Sequence, residues 1–211
     1  MSIECFVQDA FELIRRDRFE SAMALACAAL DATAKSEFSG QVQVGERWEA
    51  FVKSNLDIIT VVGFSGAIHA APGGILRVLD PERPDDVAPI EKIIYKSIRC
   101  NLMHEASLPG GARFTPEGFY GIRDGTFYIP VSFIYALLLA VVGAKSNASR
   151  RIDVQIELNP ARLKINELWG KSELVRSKLG VLSSITVSYD YDSGNVADEM
   201  IHGGPRRRRE Q

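Results

Sequence analysis

The chain of 211 residues is poor in cysteine, in surplus charge of either sign and in long apolar runs. Its three cysteines, Cys5, Cys27 and Cys100, are odd in number and lack metal-ligand spacing, and they fall inside apolar helical patterns. That combination argues against a disulfide framework and against zinc, and suits buried thiols in a reducing cytoplasm. Lys and Arg total 25 against 27 Asp and Glu, a formal net charge of -2. A chain so balanced has no global basic footprint for nucleic acid, so any RNA contact has to be local. The longest apolar stretch, Ile129 to Ala144, falls short of the roughly 20 residues a membrane-spanning helix needs, so no membrane partner is expected. Glu4 and Asp9 stand where a signal peptide would carry basic residues and an apolar run, so no export is expected either.

Familiar catalytic signatures are missing as well. Gly63, Gly66, Gly73 and Gly74 are followed by no G-K-[ST], which removes a phosphate loop. The string GFSGA, Gly63 to Ala67, nearly matches a nucleophile elbow, but a helix precedes it and a loop follows. Ser65 and His69 therefore read as connector residues. Glu4, Asp9 and Glu12, or Asp31 and Glu37, could be drawn as carboxylate groups for a metal, yet at helical positions a solvated face is the better default. Neither a metal nor a cofactor is expected.

What the sequence does have is a core and a clear helical period. Hydrophobic residues make up 46% and charged residues 25%, which is ordinary for a folded domain. Ile3, Phe6, Val7, Ala10, Leu13 and Ile14 mark a first amphipathic helix ending around Arg15 to Arg18. Phe19, Met23, Ala26, Leu30 and Ala34 stripe a second, kept slim by further alanines for close packing. A third begins near Gly45, with Trp48, Phe51, Val52, Asn55 and Ile59 on one face, and fades into VVGFSGAIHAAPGG. Asp85, Asp86 and Pro89 read as the start of a fourth, IEKIIYKSIRCNLMH. Asp124-Gly125 marks a hairpin turn, and Val131 to about Gly143 forms an almost wholly apolar fifth helix.

After KSNASRR the pattern changes to a strand-like DVQIEL, a helix-like INELWGKSELVRSKLG and a strand-like SSITVSYD. The fold class expected is mainly all-α, an up-and-down bundle of about five helices with a β-hairpin insert and a small mixed α/β unit. Residues 1–148 form the bundle, 149–200 the accessory unit and 201–211 a disordered basic tail. The RRRR run, Arg206 to Arg209, reads as a solubilising end before it reads as an RNA contact.

The candidate site lies at the end of the fourth helix, in YKSIRCNLMHEAS. Ile90, Ile94 and Ile98 point inward with Ile93 and Leu102, and Arg99 lies beside that stripe. On a continuous α-helix Arg99 and His104 differ by about 140° in azimuth and about 7.5 Å in rise, so they cannot stack. Asn101 and His104 share a face, and the amide is placed to orient the imidazole. A helix ending at His104 favours the imidazolium, which suits an acid or base working near neutrality.

The string from Arg99 to His104 resembles the R-x(4 to 6)-H signature of HEPN domains. The run IIYKSIRCNLMHEA, with ALACAALDATAK and RWEAFVKS before it, is similar to bacterial HEPN-like proteins over the first two thirds of the chain. The resemblance implies an all-α bundle that pairs as a homodimer and cleaves RNA without metal. In that role His104 acts as acid or base, Arg99 stabilises the phosphate and Asn101 orients. Imidazole can take the proton of a ribose 2′-hydroxyl while guanidinium balances charge on the phosphorane. A HEPN branch modified with AMP carries tyrosine two residues after the histidine, where this chain has Ala106. Tyr95 and Tyr120 leave modification elsewhere open. Two other readings stand beside the nuclease. One is a dimeric module that binds RNA, a nucleotide or a protein without turnover, suited by Cys100 after the arginine and by the acidic charge. The other is a regulatory subunit whose Arg99 and His104 pair inside the fold.

Overall fold

The computed structural model describes residues 2–40, 43–158 and 161–180. These are mainly α-helical, with small two- and three-stranded sheets. Helix α1, Ile3–Arg15, buries Ile3, Val7, Ala10, Phe11 and Ile14, the stripe its 3.6-residue period demands. The chain reverses through Asp17, which takes φ 55°, into α2, Phe19–Glu37. Ala22, Ala26 and Ala29 are fully buried there, so α2 packs closely against α1, α3 and α7.

The expected third helix divides in two. Helix α3 is Val44–Ser54 and α4 is Leu56–Gly63. The break falls at Asn55, whose Nδ2 donates to the Phe51 carbonyl at 3.0 Å and to Ser54 Oγ at 3.1 Å. An asparagine amide that competes for backbone partners offers the chain an exit from the helix. Helix α4 then continues through VVG, further than the sequence suggested, because Ile58, Ile59 and Val62 are buried where it meets α7.

A second departure lies before the fourth helix. Strands β1, Arg77–Leu79, and β2, Val87–Pro89, pair antiparallel. Asp85 and Asp86 belong to their connection, where the Asp86 carbonyl accepts from the Asp80 amide. They do not cap the helix. Pro89 remains extended at ψ 133°, and the helical run starts at Ile90. It comprises α5, Ile90–Lys92, a π-helical segment, Ile93–Cys100, and α6, Asn101–His104.

The hairpin insert is as expected and carries one strand more. β4, Gly121–Arg123, pairs antiparallel with β5, Thr126–Pro130, across Asp124 (φ 52°) and Gly125 (φ 73°). Two consecutive positive φ values are what a tight two-residue hairpin turn requires. β3, Arg113–Thr115, joins β5 in parallel, giving the order β3-β5-β4. Helix α7, Ser132–Gly143, is buried nearly all round, and Ser132 Oγ ties its start to the Gly63 carbonyl at 2.7 Å.

Beyond α7, β6, Gln155–Leu158, pairs with β7, Ala161–Lys164. The partner of DVQIEL is thus ARLK; SSITVSYD and the RRRR tail lie outside the described residues. The helix-like stretch resolves into a 3-10 turn, Ile165–Glu167, and α8, Ser172–Lys178. Gly170 separates them at φ 72°, where a Cβ would stand 2.4 Å from Ala148 Cβ. Ile152, Val154, Leu163, Ile165, Trp169 and Val175 belong to the same hydrophobic core as Trp48, Phe51 and Leu137. Among the described residues no helix is long and apolar enough to cross a membrane.

Candidate functional site around Arg99

The π-helical segment Ile93–Cys100 positions Arg99. A π turn widens the helix and shifts the azimuth of the residues within it, a local geometry often found at functional sites. Ile93, Ile94, Ser97 and Ile98 are buried there. Ser97 Oγ donates to Asp80 Oδ1 at 2.8 Å, fastening the segment to the β1–β2 connection. Asp80 is 3% exposed and also accepts from the Glu82 amide.

Arg99 turns toward α2. Its NH2 donates to Asp31 Oδ2 at 2.7 Å, with both side chains largely covered. Its NH1 lies 3.9 Å from Cys100 Sγ, and its guanidinium carbon sits 5.5 Å from the centre of the Tyr95 ring. Burial by itself would lower the Arg99 pKa. The hydrogen bond and charge of Asp31 outweigh it and raise the pKa, with Cys100 adding in the same direction. The ion pair is therefore held as an ion pair, although Arg99 Nε and Asp31 Oδ1 are buried with no hydrogen-bond partner among the described residues.

Around the pair the packing is close. Tyr95 tilts against Trp48 with ring centres 5.8 Å apart, and a Cβ on Gly45 would stand 3.1 Å from the Tyr95 ring. Burial first, and then the neighbouring Cys100, raise the Tyr95 pKa despite the opposing influence of Arg99. Cys27 is fully buried on α2, and burial, helped by Asp31, pushes its thiol far above the ordinary range. It is an inert thiol.

The other two residues of the expected constellation go elsewhere. Asn101 Nδ2 donates to the Ser97 carbonyl at 3.0 Å, a bond back to its own helix. His104 is exposed at the end of α6, and no hydrogen bond or ion pair is found for it among the described residues. None of Arg99, Asn101 and His104 bonds to another of the three. Ser65, with φ 51°, and His69 are exposed in the connector after α4, with no strand leading into them. Among the described residues no group of three or more His, Cys, Asp or Glu side chains could hold a metal ion.

Asp31 is the residue that sequence reasoning missed. Its helical position reads as a solvated face, and it is the partner of Arg99. One signal was available: Asp31 follows Cys27 by four residues, which puts both on one face of α2. Glu37, grouped with it, accepts from the Ser146 amide at 2.6 Å. Glu4 pairs with Arg150, and Glu12 with Arg15.

One family model, described as Rv1289, matches residues 2–194. No curated protein and no solved structure matches the chain.

Proposed function

The chain belongs to the Rv1289 family, and we propose that it is a helical-bundle module of HEPN type that works by binding a partner, as a two-fold dimer, without turning over RNA. The observation that carries this reading is the 2.7 Å bond between Arg99 and Asp31. A guanidinium that stabilises a phosphorane must present charge and free N–H groups to the phosphate. Arg99 gives its charge and one terminal nitrogen to a carboxylate of its own chain, and it sits against Tyr95 and Cys100. That arrangement braces α2 against the π segment. The Asn101 amide, committed to Ser97, does not orient His104.

The test is an RNA cleavage assay in EDTA, run beside light scattering at micromolar concentration. No cleavage is expected, together with a mass twice that of the 23.3 kDa chain. A strictly monomeric chain would remove the dimer. Metal-independent cutting that leaves 2′,3′-cyclic phosphate and is lost in His104→Ala would replace this reading with the endoribonuclease.

That second reading is favoured by one observation, the exposed imidazole of His104 at a helix end, for which no partner is found among the described residues. In it His104 serves as acid or base, and Arg99 must leave Asp31 to reach a phosphate. His104→Ala would then cost on the order of 10²-fold in rate with little change in thermal stability.

A further inference from the structure

The three-stranded sheet has two unlike faces. Phe127 and Ile129 point inward and are buried. Phe127 packs on Tyr120 with ring centres 5.1 Å apart, and Tyr120 in turn meets Phe64 and Phe133. Alternation along a strand sends their neighbours Thr126 and Tyr128 to the other face. Register then decides what surrounds Tyr128. It stands opposite Arg113 on β3 and opposite Gly121 on β4, while Thr126 stands opposite Arg123. Paired residues share a face.

Gly121 leaves a gap in that row, and Phe119 fills it. A Cβ on Gly121 would stand 3.4 Å from Phe119 Cζ, and the residue takes φ 145°, a backbone conformation suited to glycine. The Phe119 ring lies 6.4 Å from that of Tyr128, and the Arg123 guanidinium lies 4.6 Å from the Phe119 centre. Across the outer face the order is thus Arg113, Tyr128, Phe119, Arg123. Arg113 and Arg123 are exposed, and Phe119 and Tyr128 are half-covered. No partner is found for the Arg113 side chain among the described residues. Arg123 bonds Glu117 at 2.9 Å in an exposed pair, the kind of contact that exchanges at little cost.

We propose that this face is a binding platform for single-stranded RNA, with bases stacking on Phe119 and Tyr128 and phosphates held by Arg113 and Arg123. Two partly exposed rings flanked by two guanidinium groups on one face of the sheet match a strand that offers an aromatic face and a negative charge at every nucleotide. Duplex RNA keeps its bases stacked on each other and offers the rings nothing. An acidic peptide would satisfy the arginines but leave the rings unused. Placement on a local strip also agrees with a chain whose net charge is -2. The proposal rests on the reading of the chain as a binding module and says what it binds and where; Arg99 and His104 take no part.

The experiment measures fluorescence anisotropy of a labelled single-stranded oligouridine in EDTA, with the full chain. Phe119→Ala and Tyr128→Ala are each expected to weaken binding roughly tenfold. Arg113→Glu combined with Arg123→Glu, at exposed positions that leave the core intact, should weaken it and flatten its salt dependence. His104→Ala should leave it unchanged. The proposal is overturned if the wild-type chain fails to bind, if the platform variants bind as well as wild type, or if duplex RNA binds as tightly. Displacement by polyglutamate with no effect of removing either ring would overturn it in favour of an acidic-peptide surface. Failure of the parent reading looks different: the oligouridine would be cut, and His104→Ala would stop the cutting while binding to the sheet persisted.

Discussion

Arg99 and Asp31 test how much a half-covered ion pair contributes. Both side chains lie mostly out of water, at 17% and 25% exposure. Removing one partner strands the other charge beside Tyr95 and Cys27, where solvent reaches it poorly. Full burial would make such a loss about 3 to 5 kcal/mol; the remaining exposure reduces it to about 1 to 3 kcal/mol. Asp31→Ala and Arg99→Ala should each lower stability by that amount in urea unfolding. The double variant should lose less than the sum of the two, because it leaves no unpaired charge behind. Additive losses would mean that the pair is not coupled, and the bracing role assigned to it would fail. The spacing of Asp31 from Cys27 hints at an inward face, but nothing local pairs Asp31 with Arg99: the partners lie 68 positions apart, and the apolar period of each helix is satisfied with or without the contact.

At the scale of elements, α1 and α2 were legible because each buries a stripe of 3.6-residue period, and α7 because its run is apolar nearly throughout. The elements that escaped are those whose cause lies outside their own residues. The π-helical segment Ile93–Cys100 grips partners distant in sequence, Asp80 through Ser97 and Asp31 through Arg99. β1 and β2 are three residues each, too short for an alternation to show. Their hairpin is held at two points, Asp80 to Ser97 and the Leu79 carbonyl to the Tyr120 hydroxyl at 2.7 Å. Burial, with Asp80 adding, raises the Tyr120 pKa well above its ordinary value of 10. A group whose pKa is raised by folding keeps its contribution below the unfolded pKa and loses it as pH rises beyond that value. Stability should therefore fall above about pH 10, as tyrosine ionises in the unfolded chain and Tyr120 resists in the folded one. Tyr120→Phe should cost about 1 kcal/mol at pH 7 through the lost hydrogen bond, and it should flatten the alkaline limb measured by urea unfolding at stepped pH. An unchanged alkaline limb would show that Tyr120 is not its source.

At the scale of the whole molecule, side chains of residues 149–180 pack into the same hydrophobic core as the helices before them. The composition change after KSNASRR suggested a separate unit, and the packing gives that segment an extensive hold on the rest. Trp169 and Val175 are buried in the common core, the Gly170 amide donates to the Val142 carbonyl, and Arg176 Nε donates to Asp57 Oδ2 at 2.5 Å, with Asp57 5% exposed. The two tryptophans stand on opposite sides of the sequence boundary: Trp48 reports on α3, and Trp169 on the segment that packs against α7. Each can therefore serve as a local probe in a chain where the other is replaced. In the Trp48→Phe and Trp169→Phe variants, each referred to its own far-UV circular dichroism, the fluorescence transition in urea should coincide with the loss of helix. A single cooperative core gives that result. Arg176→Ala should move both transitions down together, by about 2 to 4 kcal/mol, because Asp57 is left as an uncompensated buried charge. A Trp169 transition that separates from the helix signal and alone responds to Arg176→Ala would mark residues 149–180 as a unit that unfolds by itself, and would put a domain boundary near residue 148.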